Sequence, residues 1–258
     1  MPKFAANISW LFTELPFVAR FARAREAGFT GVECLFPYDV PLAELCEAQR
    51  QSGLPVVLIN APPGDWARGA RGLAAQPDCD EAFIDAILLT REYASALGCR
   101  QVHVMAGHRV NSLSEQQQYQ LLIQRLRQAA SLLAEKNINV LIEPLNKEDM
   151  PGYFVNSFPL AEKIIHDVGC DNIGLQFDIY HCQKLHGNII THIQRYLPIT
   201  RHYQVASSPG RNEPGSGELN DDWIFSQIDN MNYHGWVGCE YQPLTPPGAD
   251  IHWLAPYK

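Results

Sequence analysis

Val140-Leu141-Ile142-Glu143, Ile173-Gly174-Leu175-Gln176-Phe177-Asp178, His202-Tyr203-Gln204-Val205-Ala206 and Trp236-Val237-Gly238-Cys239-Glu240 are four short apolar runs, each with one oxygen-bearing side chain toward its C-terminal end. Glu143, Asp178, Gln204 and Glu240 follow one another at steps of 35, 26 and 36 residues. That rhythm fits one strand per β/α unit. A carboxylate ending a buried strand is costly to desolvate and persists only when paired, hydrogen-bonded or bound to a metal. Four such groups converging at one mouth make a hard-cation site, suited to Mg²⁺ or Mn²⁺ through oxygen ligands. Taken singly, each is equally a strand-end polar residue that meets solvent, a helix cap or a structural ion-pair partner. Their common register across consecutive strands favours the cation.

Outward from these runs, β-rich and amphipathic stretches alternate along nearly the whole chain. Residues 4–9 read as a strand and 17–27 as a helix, with Gly28 in the C-cap position. A strand at 31–36, a helix at 42–52 stopped by Gly53, and a strand at 56–60 follow, then the loop Ala61-Pro62-Pro63-Gly64-Asp65-Trp66. Next come a helix at 80–97, a strand at 101–106 and the longest helical pattern, 114–136, with cap residues at Ser112-Leu113-Ser114-Glu115. Strands at 139–145, 173–178, 202–206 and 236–240 alternate with helices at 158–168, 189–196 and 221–231. Eight repeats without a linker or low-complexity tract predict an α/β fold, a (β/α)8 TIM barrel, as a single domain over 1–258. A doubly wound open sheet is the alternative, but no G-x-G-x-x-G turn follows the first strand.

The 258 residues are 46% hydrophobic and 10% aromatic, ample for a large core, and carry a formal net charge of −8. So acidic a chain lacks the basic stripe that nucleic acid or an anionic membrane needs, so neither is expected as a partner. The N-terminal residues show no basic region leading into an apolar one, and no run of about 18 apolar residues spans a membrane. Seven cysteines, at 34, 46, 79, 99, 170, 182 and 239, form no C-x-x-C pair, which points to reduced thiols in a cytoplasmic protein and away from zinc. A homo-oligomer is open, with Trp253 and Tyr257 in the last segment, 243–258, placed to cover the barrel or meet a neighbour.

Residues beside the four oxygens extend the site. His181 lies three residues past Asp178; a helical turn there would bring both to one pocket, where His181 could bond a substrate oxygen, whereas a cap or surface role is its ordinary alternative. Arg211 is the only base of the loop 207–218, suited to fork a carboxylate or hydroxyls, or else to pair with Glu213 at the surface. Met105 and His108 end one strand near the mouth, Asn146 and Asp149 follow Glu143, and Trp10, Phe36 and Trp66 can wall the pocket.

With these residues laid out, the chain resembles the hydroxypyruvate isomerase family of xylose-isomerase-like TIM barrels, which includes 2-oxo-tetronate isomerases. The resemblance runs through Phe4-Ala5-Ala6-Asn7-Ile8-Ser9, Ala61-Pro62-Pro63-Gly64-Asp65-Trp66, His103-Val104-Met105-Ala106-Gly107, Ile142-Glu143-Pro144-Leu145-Asn146, Gln176-Phe177-Asp178-Ile179-Tyr180-His181, Gly210-Arg211-Asn212-Glu213-Pro214-Gly215 and Gly235-Trp236-Val237-Gly238-Cys239-Glu240-Tyr241. It implies an aldose–ketose-type isomerisation of a small 2-oxo or hydroxy acid, hydroxypyruvate to tartronate semialdehyde or a close homologue. Glu143 and Glu240 would take and return the proton; Glu143, Asp178, Gln204 and Glu240 would hold the divalent cation; His181 and Arg211 would bind substrate. Related sugar epimerases usually have histidine where this chain has Gln204, a neutral and weaker ligand similar to the hydroxypyruvate isomerase branch. The abasic-site endonuclease relatives use a histidine-rich multi-metal site that these four positions do not supply. A sugar epimerase with the same two glutamates and a non-catalytic sugar-acid-binding barrel are the rival readings.

Overall fold

A computed structural model of the chain describes residues 1–244 and 251–257. Eight parallel strands, β1 (Lys3–Asn7), β2 (Gly31–Cys34), β3 (Val56–Asn60), β4 (Gln101–His103), β5 (Asn139–Ile142), β6 (Ile173–Asp178), β7 (Thr200–Val205) and β8 (Trp236–Cys239), close into a barrel in chain order, β8 pairing with β1. The helices are α1 (Ala19–Ala27), α2 (Leu42–Ser52), α3 (Asp80–Ala96), α4 (Glu115–Ala134), α5 (Phe158–Val168), α6 (Ile179–Leu185), α7 (Ile189–Tyr196) and α8 (Asp221–Asn230). The (β/α)8 expectation holds.

The helices form where local chemistry asks for them. Ser114 caps α4 in a capping box with Gln117, and Ser157 caps α5 ahead of a proline in its first turn. Gly28, Gly53 and Gly169 end α1, α2 and α5 in the left-handed conformation. The buried stripes of these helices pack on the outer faces of the strands and make one apolar core.

Several boundaries are shorter than the sequence suggests. β4 stops at His103 rather than at 106, β5 at Ile142 and β8 at Cys239, so Glu143 and Glu240 are the first residues beyond their strands. At these places the chain turns away while a single bond persists past the strand end, Val104 N–H to Leu141 O and Glu240 N–H to Val205 O. β7 instead starts two residues early, at Thr200. The first helix begins at Ala19 rather than at residue 17, because residues 17 and 18 form a turn.

All seven cysteines are unpaired, four of them buried. Among the described residues no helix is long and apolar enough to cross a membrane. Of the last segment, residues 245–250 and 258 lie outside the described residues. Trp253 and Tyr257 pack edge-on against Phe4 of β1, each at 5.2 Å between ring centroids, so they cover the barrel.

Candidate active site

Strand alternation puts every second side chain inside the barrel. In the upper interior the chain places polar groups there instead of apolar ones. Glu33 of β2 is fully buried, with its Oε2 2.7 Å from His202 Nε2 of β7. Its Oε1 accepts from Gln204 Nε2 at 2.7 Å and from Asn7 Nδ2 at 3.0 Å. Gln204 Nε2 also donates to Glu240 Oε2 at 2.8 Å, and its Oε1 accepts from Gln176 Nε2 at 2.6 Å. Gln176 Nε2 reaches Glu143 Oε2 as well, at 3.0 Å. These bonds join β1, β2, β6 and β7 into one floor beneath the two glutamates just past β5 and β8, and leave Gln176 Oε1 as a buried atom with no hydrogen-bond partner among the described residues.

Room for Glu33 comes from β8. A Cβ on Gly238 would lie 2.0 Å from Glu33 Oε2, so only glycine leaves space for that carboxylate.

Above the floor, the tips of β5, β6 and β8 open into a cavity of about 730 Å³, lined among others by Glu143, His181, Arg211 and Glu240. Asp178 ends β6 and caps α6 through its Oδ1, which accepts from Tyr180 N–H at 2.7 Å. Its Oδ2 is buried and has no hydrogen-bond partner among the described residues. The helical turn after Asp178 does form, so His181 stands beside it, its Nε2 3.8 Å from Asp178 Oδ2 and 3.9 Å from Glu143 Oε1. Glu143, Asp178 and His181 thus form a group of metal-ligating residue types whose atoms lie within 4.8 Å of one another. Gln204 joins them only through Gln176 and Glu240, as part of the floor.

His181 is oriented by Asn146, whose backbone N–H and Nδ2 lie 3.3 and 2.8 Å from its Nδ1. Both are donors, so Nδ1 accepts and the neutral ring carries its proton on Nε2. Burial, with Arg211 adding to it, holds the His181 pKa well below the usual histidine value.

Arg211 does not pair with Glu213, the surface alternative read from sequence. The loop turns back at Arg211, which has φ +56 and is pinned by Arg211 N–H to Ser207 O and Gln242 N–H to Arg211 O. Its guanidinium therefore points inward, 2.7 Å from Glu240 Oε1, 3.6 Å from Asp149 Oδ2 and 4.0 Å from Asp178 Oδ2. It lies over the rings of Trp10 at 4.7 Å and Tyr180 at 5.1 Å. Glu213 instead accepts from Leu244 N–H.

The electrostatics follow from crowding. Burial first, then repulsion from Asp178 and Glu240, pushes Glu143 well above the usual carboxylate range. Burial likewise raises Glu240 to about 8 against the lowering pull of Arg211, and Asp178 to about 6 against the same pull.

Sequence reasoning placed Trp10, Phe36, Trp66, Met105, His108, Asn146 and Asp149 at the mouth; all but Asn146 line the cavity, and Asn146 is buried against His181 instead. It missed the polar floor of Glu33, Gln176 and His202. It also missed His103, whose Nδ1 lies 3.6 Å from Glu143 Oε2 and whose two ring nitrogens are buried without hydrogen-bond partners among the described residues. The available signal was the position of Glu33, Gln176 and His202 two residues from, or level with, the strand tips on the same alternating face.

Residues 21–257 match the family model described as xylose isomerase-like TIM barrel. The chain belongs to that family. It is 42% identical over 258 residues to the hydroxypyruvate isomerase of Escherichia coli, covering 100% of both chains. It is also 42% identical over 257 residues to the 2-oxo-tetronate isomerase of Cupriavidus necator, covering 100% of this chain and 99% of that one. Among solved structures it is similar to an AP endonuclease, family 2, from Brucella melitensis, with a TM-score of 0.97, 42% identity and 100% of each chain covered. Relatives of this identity and coverage support an isomerase role.

Proposed function

We propose that the chain interconverts hydroxypyruvate and tartronate semialdehyde by proton transfer through an enediolate, with 2-oxo-tetronate as the alternative substrate of the same chemistry. The observation that carries this reading is a pair of glutamates, Glu143 and Glu240, buried at the edge of one cavity and both held above the ordinary carboxylate range. A carboxyl group poised near neutral pH can both accept and return a proton, which is what a carbon acid beside a carbonyl requires.

In this reading one glutamate takes a proton from the hydroxymethyl carbon and the other gives its own proton to the former carbonyl carbon, while the hydroxyl proton passes from the oxygen of the first carbon to that of the second. His181 offers its Nε2–H to a substrate oxygen. The buried Nε of Arg211, without a partner among the described residues, offers a second donor. That guanidinium also packs over the Trp10 and Tyr180 rings.

The residues fit a divalent cation. Asp178 Oδ2 is a buried carboxylate oxygen with no hydrogen-bond partner among the described residues; burial raises both Asp178 and Glu143, and repulsion from Asp178 adds to the rise of Glu143. Glu143, Asp178, Gln204 and Glu240 would hold Mg²⁺ or Mn²⁺, the amide through a remaining lone pair of Oε1. When bound, the cation would stabilise negative charge developing on the substrate oxygens. With its proton on Nε2, His181 serves as a donor to substrate, not as a ligand.

The cavity lining carries three acids, Glu143, Asp149 and Glu240, against the two guanidiniums of Arg71 and Arg211, and the chain as a whole has a net charge of −8, which favours an isomerase over a nuclease reading. Hydroxypyruvate, 2-oxo-tetronate and a free ketose assayed with and without chelator test the proposal. It predicts isomerisation of an acid that is lost with chelator; turnover of the ketose alone contradicts it.

A further inference from the structure

The proposed chemistry leaves one end of the substrate unheld, its carboxylate. Arg211 is committed to Glu240, Asp149 and Asp178. A second guanidinium lines the same cavity, that of Arg71 in the loop after β3. It lies over the Trp66 ring at 3.8 Å, and its Nη1 donates to Trp66 O at 3.1 Å and Ala70 O at 2.8 Å. Nε and Nη2 make no hydrogen bond to the described residues, and no carboxylate among them lies within ion-pair distance of this group. That free edge is the one that forks a carboxylate through two parallel N–H donors.

The backbone beneath it is fixed. Gly72 has φ +126, and a Cβ there would lie 2.2 Å from Met105 O. Gly72 N–H donates to Pro63 O at 3.0 Å, and Gly72 pairs in an isolated bridge with Ala106, just past β4. The stack on Trp66 and the two carbonyl bonds then hold the side chain, so little freedom is lost when an anion docks.

We infer that Arg71 binds the carboxylate of a small 2-oxo or hydroxy acid and sets the preference of this cavity for acids over neutral ketoses. The inference rests on the proposed reading only in taking the ligand to be an acid. It makes the substrate's charged end a contact of the loop after β3, while its reacting carbons lie among Glu143, Glu240 and His181.

Calorimetric titration of the Mg²⁺-supplemented protein tests it with two probes. One is hydroxypyruvate; the other is dihydroxyacetone, which has a hydroxymethyl group in place of the carboxylate. Arg71→Gln is expected to bind hydroxypyruvate about 10–100-fold more weakly, the loss of a charge-assisted fork, and dihydroxyacetone as the wild type does. Arg71→Lys keeps the charge without the fork and is expected to fall between. Undiminished binding of hydroxypyruvate by Arg71→Gln, equal losses for both probes, or a wild type that binds no hydroxypyruvate would each overturn the inference. A wild type that binds the acid through Arg71 yet forms no isomer contradicts the isomerase reading and leaves this one standing.

Discussion

Glu33 and His202 meet inside the barrel at 2.7 Å, Oε2 to Nε2, with neither side chain more than 1% exposed. Neither belongs to the strand tips that the sequence advertises, yet Glu33 also anchors Gln204, the amide that holds Glu240. Removing one member of a buried hydrogen-bonded pair leaves the other without its partner in a low dielectric. His202→Leu is therefore expected to lower unfolding free energy by about 1–3 kcal/mol, read from urea denaturation. Joint replacement of Glu33 and His202 by apolar residues should recover part of that loss, and additive losses in the double-mutant cycle would contradict the pairing.

Gly238 is the second test of the floor. Its Cβ position falls 2.0 Å from Glu33 Oε2, so Gly238→Ala must push the carboxylate off its partners. The expected cost is about 1–3 kcal/mol of overpacking, with turnover reduced because Gln204 and then Glu240 lose their placement. Thermal melting with steady-state rates measures both. An alanine variant as stable and as active as the wild type would mean the floor is more yielding than these distances allow.

Stability should depend on pH in a direction set by the crowded acids. Burial lifts Asp178 to about 6 and Glu240 to about 8, so between the ordinary carboxylate range and those values the folded chain binds more protons than the unfolded one. Without metal, stability therefore falls as pH rises from about 6.5 to 8, above the range where the lowered pKa values of His103 and His181 give the opposite slope. Melting curves in chelator should drop by several degrees across that range, and added Mn²⁺ or Mg²⁺ should flatten the slope by pairing the same carboxylates. A chelated protein that grows steadily more stable over the range would contradict the sign.

Arg211 holds Glu240 down from 2.7 Å away. Arg211→Met should let the pKa of Glu240 climb, moving the acid limb of the kcat/KM profile to higher pH and lowering the rate at neutrality. A profile that keeps its shape with only a smaller amplitude would assign Arg211 to binding alone.

The barrel was legible because eight short apolar runs, each followed by an amphipathic stretch, admit few other arrangements, and glycines such as Gly28, Gly53 and Gly169 punctuate the helices. The strand tips were legible for a similar reason: Glu143, Asp178 and Glu240 interrupt apolar runs where a chain leaves a sheet. What stayed hidden depends on register. Glu33 and His202 are far apart in sequence, and their pairing needs the inward face of β2 to be aligned with that of β7. For Arg211 the sequence leaves the inward and the surface role open, because the left-handed turn that points it inward is set by Ser207 and Gln242, not by its neighbours in sequence. Gln204 was read as a ligand; its bonds to Glu33, Glu240 and Gln176 show that it also braces the floor.

The central claim is that Glu143 and Glu240 carry the proton. Isomerisation of hydroxypyruvate in D₂O, followed by NMR, tests it most directly with the wild type, Glu143→Gln and Glu240→Gln. The account predicts solvent deuterium at the carbon that receives the proton in the wild-type product. Both variants should remain folded and lose turnover and exchange by about 10²–10⁴-fold or more, the worth of a positioned acid–base group. Near-normal turnover by Glu240→Gln, with deuterium still entering the product, would contradict it.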